Sequence, residues 1–229
     1  MSTRPREGVS LDSAHPWSGH PGWIRPLGAV GAILLPLALL YGFFTSDDSG
    51  DTATEVIAYA EESSSDLWVM QIVALLVPAL IGIFVASLWV RLRPANEVYR
   101  AMTLIGGTLF IAFLSTGLTL WATPLLSSDE LTEAGADAYL AFDDVGWVLL
   151  GLSGISIGVM IIGVSLAALE HGWVPKWAGW LSLVLGVVSL ATIVAVGFFA
   201  WAIWLLAAGC FLLFGRDRIV PPARPADVA

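Results

Sequence analysis

Charge is scarce in this sequence. Of 229 residues only 13% are Asp, Glu, Lys or Arg, while 57% are hydrophobic. A soluble domain carries about a quarter charged residues, so this chain has too little polar surface to cover a water-soluble globule. A mean hydropathy of +0.82 points the same way, to a membrane protein. Cysteine is nearly absent. A single Cys excludes an internal disulfide framework and any multi-Cys metal site. Basic residues are few as well, 10 against 19 acidic, and the net charge of −9 argues against nucleic acid as a partner. Neither an HExxH pattern nor a P-loop is present.

What fills the chain instead is long apolar runs. A hydrocarbon core about 30 Å thick needs roughly 20 apolar residues at 1.5 Å rise each. Four segments meet that length, at about 24–44, 67–90, 101–122 and 145–169. The last apolar stretch, Trp177 to Phe214, has 38 residues and as one helix would be about 57 Å long. Two shorter helices, 177–195 and 198–214, fit better, with a turn expected near Val196-Gly197-Phe198 because Gly is the local breaker. The fold expected is all-α: a polytopic six-transmembrane-helix bundle over 23–214. Segments 1–22 and 215–229, rich in Pro and polar residues, read as flexible cytoplasmic tails. The first span reads as an uncleaved anchor, since no small-x-small cleavage site follows Phe44.

In the six-span arrangement all 10 basic residues fall on one side. By the positive-inside rule both termini are then cytoplasmic. The cytoplasmic side carries 10 basic and 6 acidic residues, a net of +4; the outer side has 13 acidic and no basic residues, a net of −13. The inner face suits anionic lipid and the outer face attracts cations. Trp23, Trp68, Trp89, Trp121, Trp147, Trp173 and Trp177 sit at expected span ends and read as interfacial anchors, with Trp201 and Trp204 near the outer turn.

The outer loops, 45–66 and 123–144, are acidic, and each contains a run of helical character, Thr54–Glu61 and Glu133–Leu140. Ser127 and Glu130 fit a capping box for the second. Two similar hairpins and a shorter third are the expected plan, with a hairpin repeat weighed against chance resemblance. The third hairpin has an apolar outer turn containing Phe198, Phe199 and Trp201. The acidic outer helices, or a partner, are expected to cover it.

The span interiors lack Asp, Glu, Lys and His. That argues against a proton relay, a carboxylate-coupled transporter and intramembrane proteolysis by Asp or Glu. No His pair lies within a span to ligate haem, and no cofactor is expected. The polar groups that remain are Gln71, Ser115, Thr116, Thr119, Ser153 and Ser156, which either glue helices together or line a path for a polar solute, with Ser165 further along the fourth span. Gly154 and Gly158 form a GxxxG match for close helix packing. Pro36 and Pro78 lie mid-span and should kink their helices, as static bends or as hinges. Among the outer carboxylates, Asp47, Asp48 and Asp51 form a loose oxygen-ligand loop, and Asp143 and Asp144 form a pair. A solvated acidic face is the simpler account of both, without the spacing of an EF-hand.

His171 to Trp177 is the link between the fourth and fifth spans, with Gly172 ending one helix and Pro175 starting the next. The acidic Ala/Gly/Tyr loop, the Gly-rich span, Gly172-Trp173-Val174-Pro175-Lys176-Trp177-Ala178-Gly179-Trp180 and the final apolar hairpin together resemble a broad group of multi-span bacterial inner-membrane proteins. The resemblance covers most of 24–214 and implies the topology, with no activity or site residues attached. By exclusion, the function expected is a non-enzymatic assembly or modulator component of the envelope, with a membrane-protein partner or a homo-oligomer. The alternatives are a small permease or channel for a neutral or apolar solute and, more remotely, a lipid-modifying enzyme using the outer carboxylates.

Overall fold

The structure is a computed structural model and describes residues 24–45, 50–62, 64–122, 131–191 and 195–214. Among them the chain is all-helical: α1 (Ile24–Thr45), α2 (Ala53–Glu62), α3 (Ser64–Arg91), α4 (Glu97–Ala122), α5 (Glu133–His171), α6 (Lys176–Ser189) and α7 (Ala195–Phe214). Five of these, α1, α3, α4, α5 and α7, are long and apolar enough to cross a membrane. Helices suit that setting because each satisfies its own backbone hydrogen bonds. The tails 1–22 and 215–229 lie outside the described residues.

Six helices close into a ring in the order α1, α3, α4, α5, α6, α7 and back to α1, and α5 also meets α7 directly. Neighbours run antiparallel. Gly28 of α1 lies on Phe84 of α3 while Gly31 lies on Leu80; Gly209 of α7 lies on Ala29 and Ile33 of α1. The ring interior holds the main core, with Phe84, Phe110, Leu114, Ile157, Met160, Trp201 and Leu205 buried.

Two seams differ from the sequence expectation. The turn between the last two helices falls at Leu190 and Ala191, not at Val196-Gly197-Phe198. There the amides of Leu190 and Ala191 donate to Val187 and Val188, tightening the last turn. The β-branched Thr192, Ile193 and Val194 that follow have low helix propensity, and they lie outside the described residues. Gly197, the third residue of α7, is helical and buried. The resulting α6 has only 14 residues and ends level with Gly158 of α5, which it meets through Gly186 and Leu190.

The second difference is α5. It does not begin near Val145 but at Glu133, and runs 39 residues without interruption, about 58 Å. Its N-cap is Thr132, whose Oγ1 accepts from the Gly135 amide at 3.2 Å. Ser127 and Glu130 lie outside the described residues. Ala136 and Tyr139 on this extension pack with Val56 and Ala60 of α2 and with Leu67, forming a small apolar core at the acidic end. The two expected acidic runs are thus both helical, one as a separate helix and one as the start of a long one.

The tightest contact is between α4 and α5. A Cβ on Gly106 would stand 2.6 Å from the Ser156 carbonyl oxygen and 2.7 Å from the Met160 nitrogen. One on Gly163 would stand 2.8 Å from the Tyr99 oxygen. Backbone meets backbone here, which only glycine permits. Gly106→Leu should force the helices apart, costing about 1–3 kcal/mol and lowering the melting temperature in detergent. Gly82→Ala should not, because nothing lies within 4 Å of its Cβ position. Equal melting temperatures for the two variants would contradict this packing.

Candidate functional site

The described basic residues gather at one end of the ring. Arg25 Nε donates to the Leu212 carbonyl at 2.6 Å, satisfying one of the open carbonyls that end α7. The Arg91 guanidinium lies 5.3 Å from the Phe211 ring centroid, and that of Arg100 lies 4.3 Å from the Trp89 ring. Gly172, with φ of 64°, caps α5 in the left-handed conformation expected of it, and Pro175 precedes α6. His171 bridges the hairpins: Nδ1 is 3.1 Å from the Ala167 oxygen and Nε2 is 3.2 Å from the Pro94 oxygen.

Inside that end lies a cavity of about 330 Å³. Its walls come from the end of α3, the end of α5, α6 and α7, and they are almost wholly apolar. Arg91 lines it, as do Trp173, Trp177, Trp204 and Phe211. Its polar groups are mutually satisfied. Trp204 Nε1 donates to Ser182 Oγ at 2.6 Å, Ser182 and Ser165 share a hydrogen bond, and Ser165 Oγ donates to the Ile161 carbonyl. The sequence reading did not find this cavity. Its signal was present as Ser165, Ser182 and Trp204, but those residues are far apart in the chain.

Above the cavity, α7 fills the ring centre with rings. Trp204 packs edge-on against Phe84, and Trp201 against both Phe110 and Phe198. Trp201 is fully buried and Trp204 is 5% exposed, so neither is an interfacial anchor at an outer turn. Phe198 is likewise buried, among Leu39, Leu114 and Leu150 around a smaller cavity of about 60 Å³. Phe198 near the start of α7 is therefore buried by turning into the ring, against α1, α4 and α5, while Val196 stays exposed. Trp68 and Trp177, by contrast, are exposed near helix ends, as anchors would be, and Trp147 is exposed partway along α5.

The residues singled out as a polar path differ in their surroundings. Ser153 and Ser156 are buried, and their hydroxyls donate to the Leu150 and Leu152 carbonyls of their own helix. Ser115 Oγ is buried without a hydrogen-bond partner among the described residues, Thr116 is exposed, and Thr119 and Gln71 are half-buried. None of them lines either cavity. Gly158 packs within the chain on α6, and Gly154 is buried beside it. Pro36 and Pro78 sit inside α1 and α3 at similar depth, beside a lipid-side apolar groove of about 400 Å³ between those helices.

At the acidic end, Asp47 and Asp48 lie outside the described residues. Asp51 belongs to a helix start. Glu55 Oε2 accepts from the amides of Asp51 and Thr52 at 3.0 and 3.1 Å, while Thr52 Oγ1 accepts from the Glu55 amide. This is a reciprocal capping box for α2. Asp143 is half-buried and lines the smaller cavity, whereas Asp144 is exposed. Among the described residues no three His, Cys, Asp or Glu are grouped to hold a metal ion.

Comparison with protein-family models, with curated proteins and with solved structures finds no match to this chain.

The capping box has a pH signature. The Thr52 side chain first, then the Asp51 and Thr52 amides, hold the Glu55 carboxyl below its ordinary value. A lowered carboxyl pKa stabilises the fold above the unfolded pKa of about 4.3 and loses that effect as pH falls through the folded value. Protection of the α2 amides, corrected for intrinsic exchange chemistry, should therefore drop below about pH 4. Glu55→Gln should flatten this dependence, and an unchanged profile in that variant would count against the box.

Proposed function

We propose that this chain is a six-span integral protein of the bacterial plasma membrane, both ends cytoplasmic, which works without catalysis as an assembly or modulator component of the envelope. The observation that carries this reading is the packed acidic platform. Outside the apolar stretch of α3 and α5, α2 and the first turns of α5 share their own small core and carry Asp51, Glu55, Glu61, Glu62, Glu133 and Asp137 on its surface. A two-helix structure held rigid beyond the lipid presents a fixed charged face to a neighbour.

The topology is supported by the ring itself. Six antiparallel neighbours return the chain to the side on which it starts, with the short α6 as the sixth crossing. Arg25, Arg91, Arg93, Arg100 and Lys176 belong to one end and the platform to the other, which suits a cytoplasmic and an outer face. Anionic lipid fits the basic end.

A second reading, a permease for an apolar solute, draws on the two cavities at opposite ends of the ring. The aromatic column of α7 separates them. Its discriminating change is Trp201→Ala, which should open that column and raise solute leak if the column is a gate.

Crosslinking and purification from native membranes test the assembly reading. A membrane component recovered in stoichiometric amount, and reduced several-fold by Glu61→Lys with Glu62→Lys and Asp137→Lys, is the expected result. Recovery of the chain alone in each of several mild detergents would overturn it. Orientation is tested separately with Cys210→Ser as background. A membrane-impermeant thiol reagent should label Asp51→Cys in intact cells and spare Arg93→Cys.

A further inference from the structure

We infer that His171 is a proton-operated latch: as an imidazolium it ties the end of α5 to the turn between α3 and α4, and on losing its proton it releases that turn and loosens the basic end of the ring. Two distances carry this. Nδ1 is 3.1 Å from the Ala167 oxygen and Nε2 is 3.2 Å from the Pro94 oxygen. A carbonyl oxygen only accepts, so each ring nitrogen has to donate. Neutral imidazole has one N–H and one bare nitrogen, and in either tautomer one of the two contacts sets lone pair against lone pair. The doubly protonated ring makes both bonds.

The setting favours that cation. His171 is the last residue of α5, at the negative end of a 39-residue helix. The Trp173 ring stacks on the imidazole, with centroids 5.0 Å apart and planes at 29°. Of the other charged or titratable groups on the elements that meet there, Glu170 adjoins it on α5, Arg91 ends α3 and Arg93 is in the turn. Glu97, Tyr99 and Arg100 begin α4, and Lys176 begins α6. Side chains of these types hold one charge state between about pH 5.5 and about pH 8, where imidazole changes its own.

What the latch joins gives it a consequence. In the ring α4 stands between α3 and α5. Leu88 and Leu92 of α3, Ala168 of α5 and Trp173 of the link nevertheless wall one and the same cavity at the basic end. With the ring protonated, a charged bond holds these walls together at Pro94. With the ring neutral, they meet there through the small apolar cluster of Leu92, Ala95 and Ala167. The tie is thus present at low pH and lost as pH rises through the titration of the imidazole. It stands on the contacts at this end and not on the orientation proposed above.

The test is amide hydrogen exchange of the full-length protein in a mild nonionic detergent. Every sample carries His15→Gln and His20→Gln, so that His171 is the remaining imidazole. The reporters flank the latch: the Ala95 amide, which donates to Leu92, and the Trp173 amide, which donates to Ala168. Corrected for intrinsic exchange chemistry, their protection should fall on the order of tenfold between about pH 5.5 and about pH 8, as loss of one charge-assisted hydrogen bond would give. The α2 amides, at the other end, should show no such fall. His171→Arg, a permanent cation with several donors, should keep the higher protection at both pH values. His171→Gln, neutral throughout, should show the lower protection at both. In nitrogen-15-labelled protein both ring nitrogens should be protonated at the lower pH and one should be bare at the higher, with the same midpoint as the loss of protection. That readout needs no change at position 171 and keeps the test open if the variants fail to fold. Equal protection at the two pH values, a fall that persists in His171→Gln, an equal fall in α2, or a midpoint that departs from the titration of the ring would each overturn the proposal.

Discussion

At Gly106 and Gly163 the backbone of α4 lies directly on the backbone of α5, with no side chain between them. In hydrocarbon, helices gain little from hiding apolar surface, because lipid is as apolar as leucine. Close van der Waals approach is what remains, and glycine makes it available. The rest of the ring follows from this contact. Fixing α4 on α5 sets the gap that Phe110 and Met160 fill, and that gap receives Trp201 from α7. The same device recurs at Gly28 and Gly31 on α3, Gly158 on Gly186, and Gly209 on α1. Four of the six neighbouring pairs thus meet at glycines set against backbone, α1 with α3, α4 with α5, α5 with α6 and α7 with α1.

Polar groups within the ring are handled locally. Ser87, Thr103, Ser153, Ser156, Ser165 and Ser189 all donate to a carbonyl three or four residues earlier on their own helix. Such a bond satisfies the hydroxyl without asking anything of the neighbouring helix. It also explains why hydroxyls spaced along a sequence are a poor guide to a solute path. A chain of side-chain hydrogen bonds, Ser165 to Ser182 to Trp204, joins α5, α6 and α7 at the floor of the inner cavity.

Much of the architecture is legible in the sequence because length and apolar runs fix it. The first three spans fall within a few residues of α1, α3 and α4, and Gly172 and Pro175 mark the end of α5 and the start of α6 as their backbone chemistry demands. The last turn was misplaced for a physical reason. Glycine breaks a helix in water, whereas here Gly197 lies buried inside α7 and α6 stops before a β-branched run. The roles of Trp201 and Trp204 were hidden because α7 is apolar on every side, and a helix of that kind carries no periodic pattern to say which face turns inward. The cavity was hidden because its walls come from four segments of the chain.

The uninterrupted length of α5 has a mechanical consequence. One end belongs to the acidic platform through Ala136 and Tyr139; the other is tied by His171 to the Pro94 carbonyl in the turn between α3 and α4. A continuous helix is stiff along its axis and can tilt or slide but not shorten. Ser165 and Ala168, which wall the inner cavity, ride on this same rod. The acidic platform and the wall of the inner cavity are therefore parts of one continuous element, and neither can shift along the axis of α5 without the other.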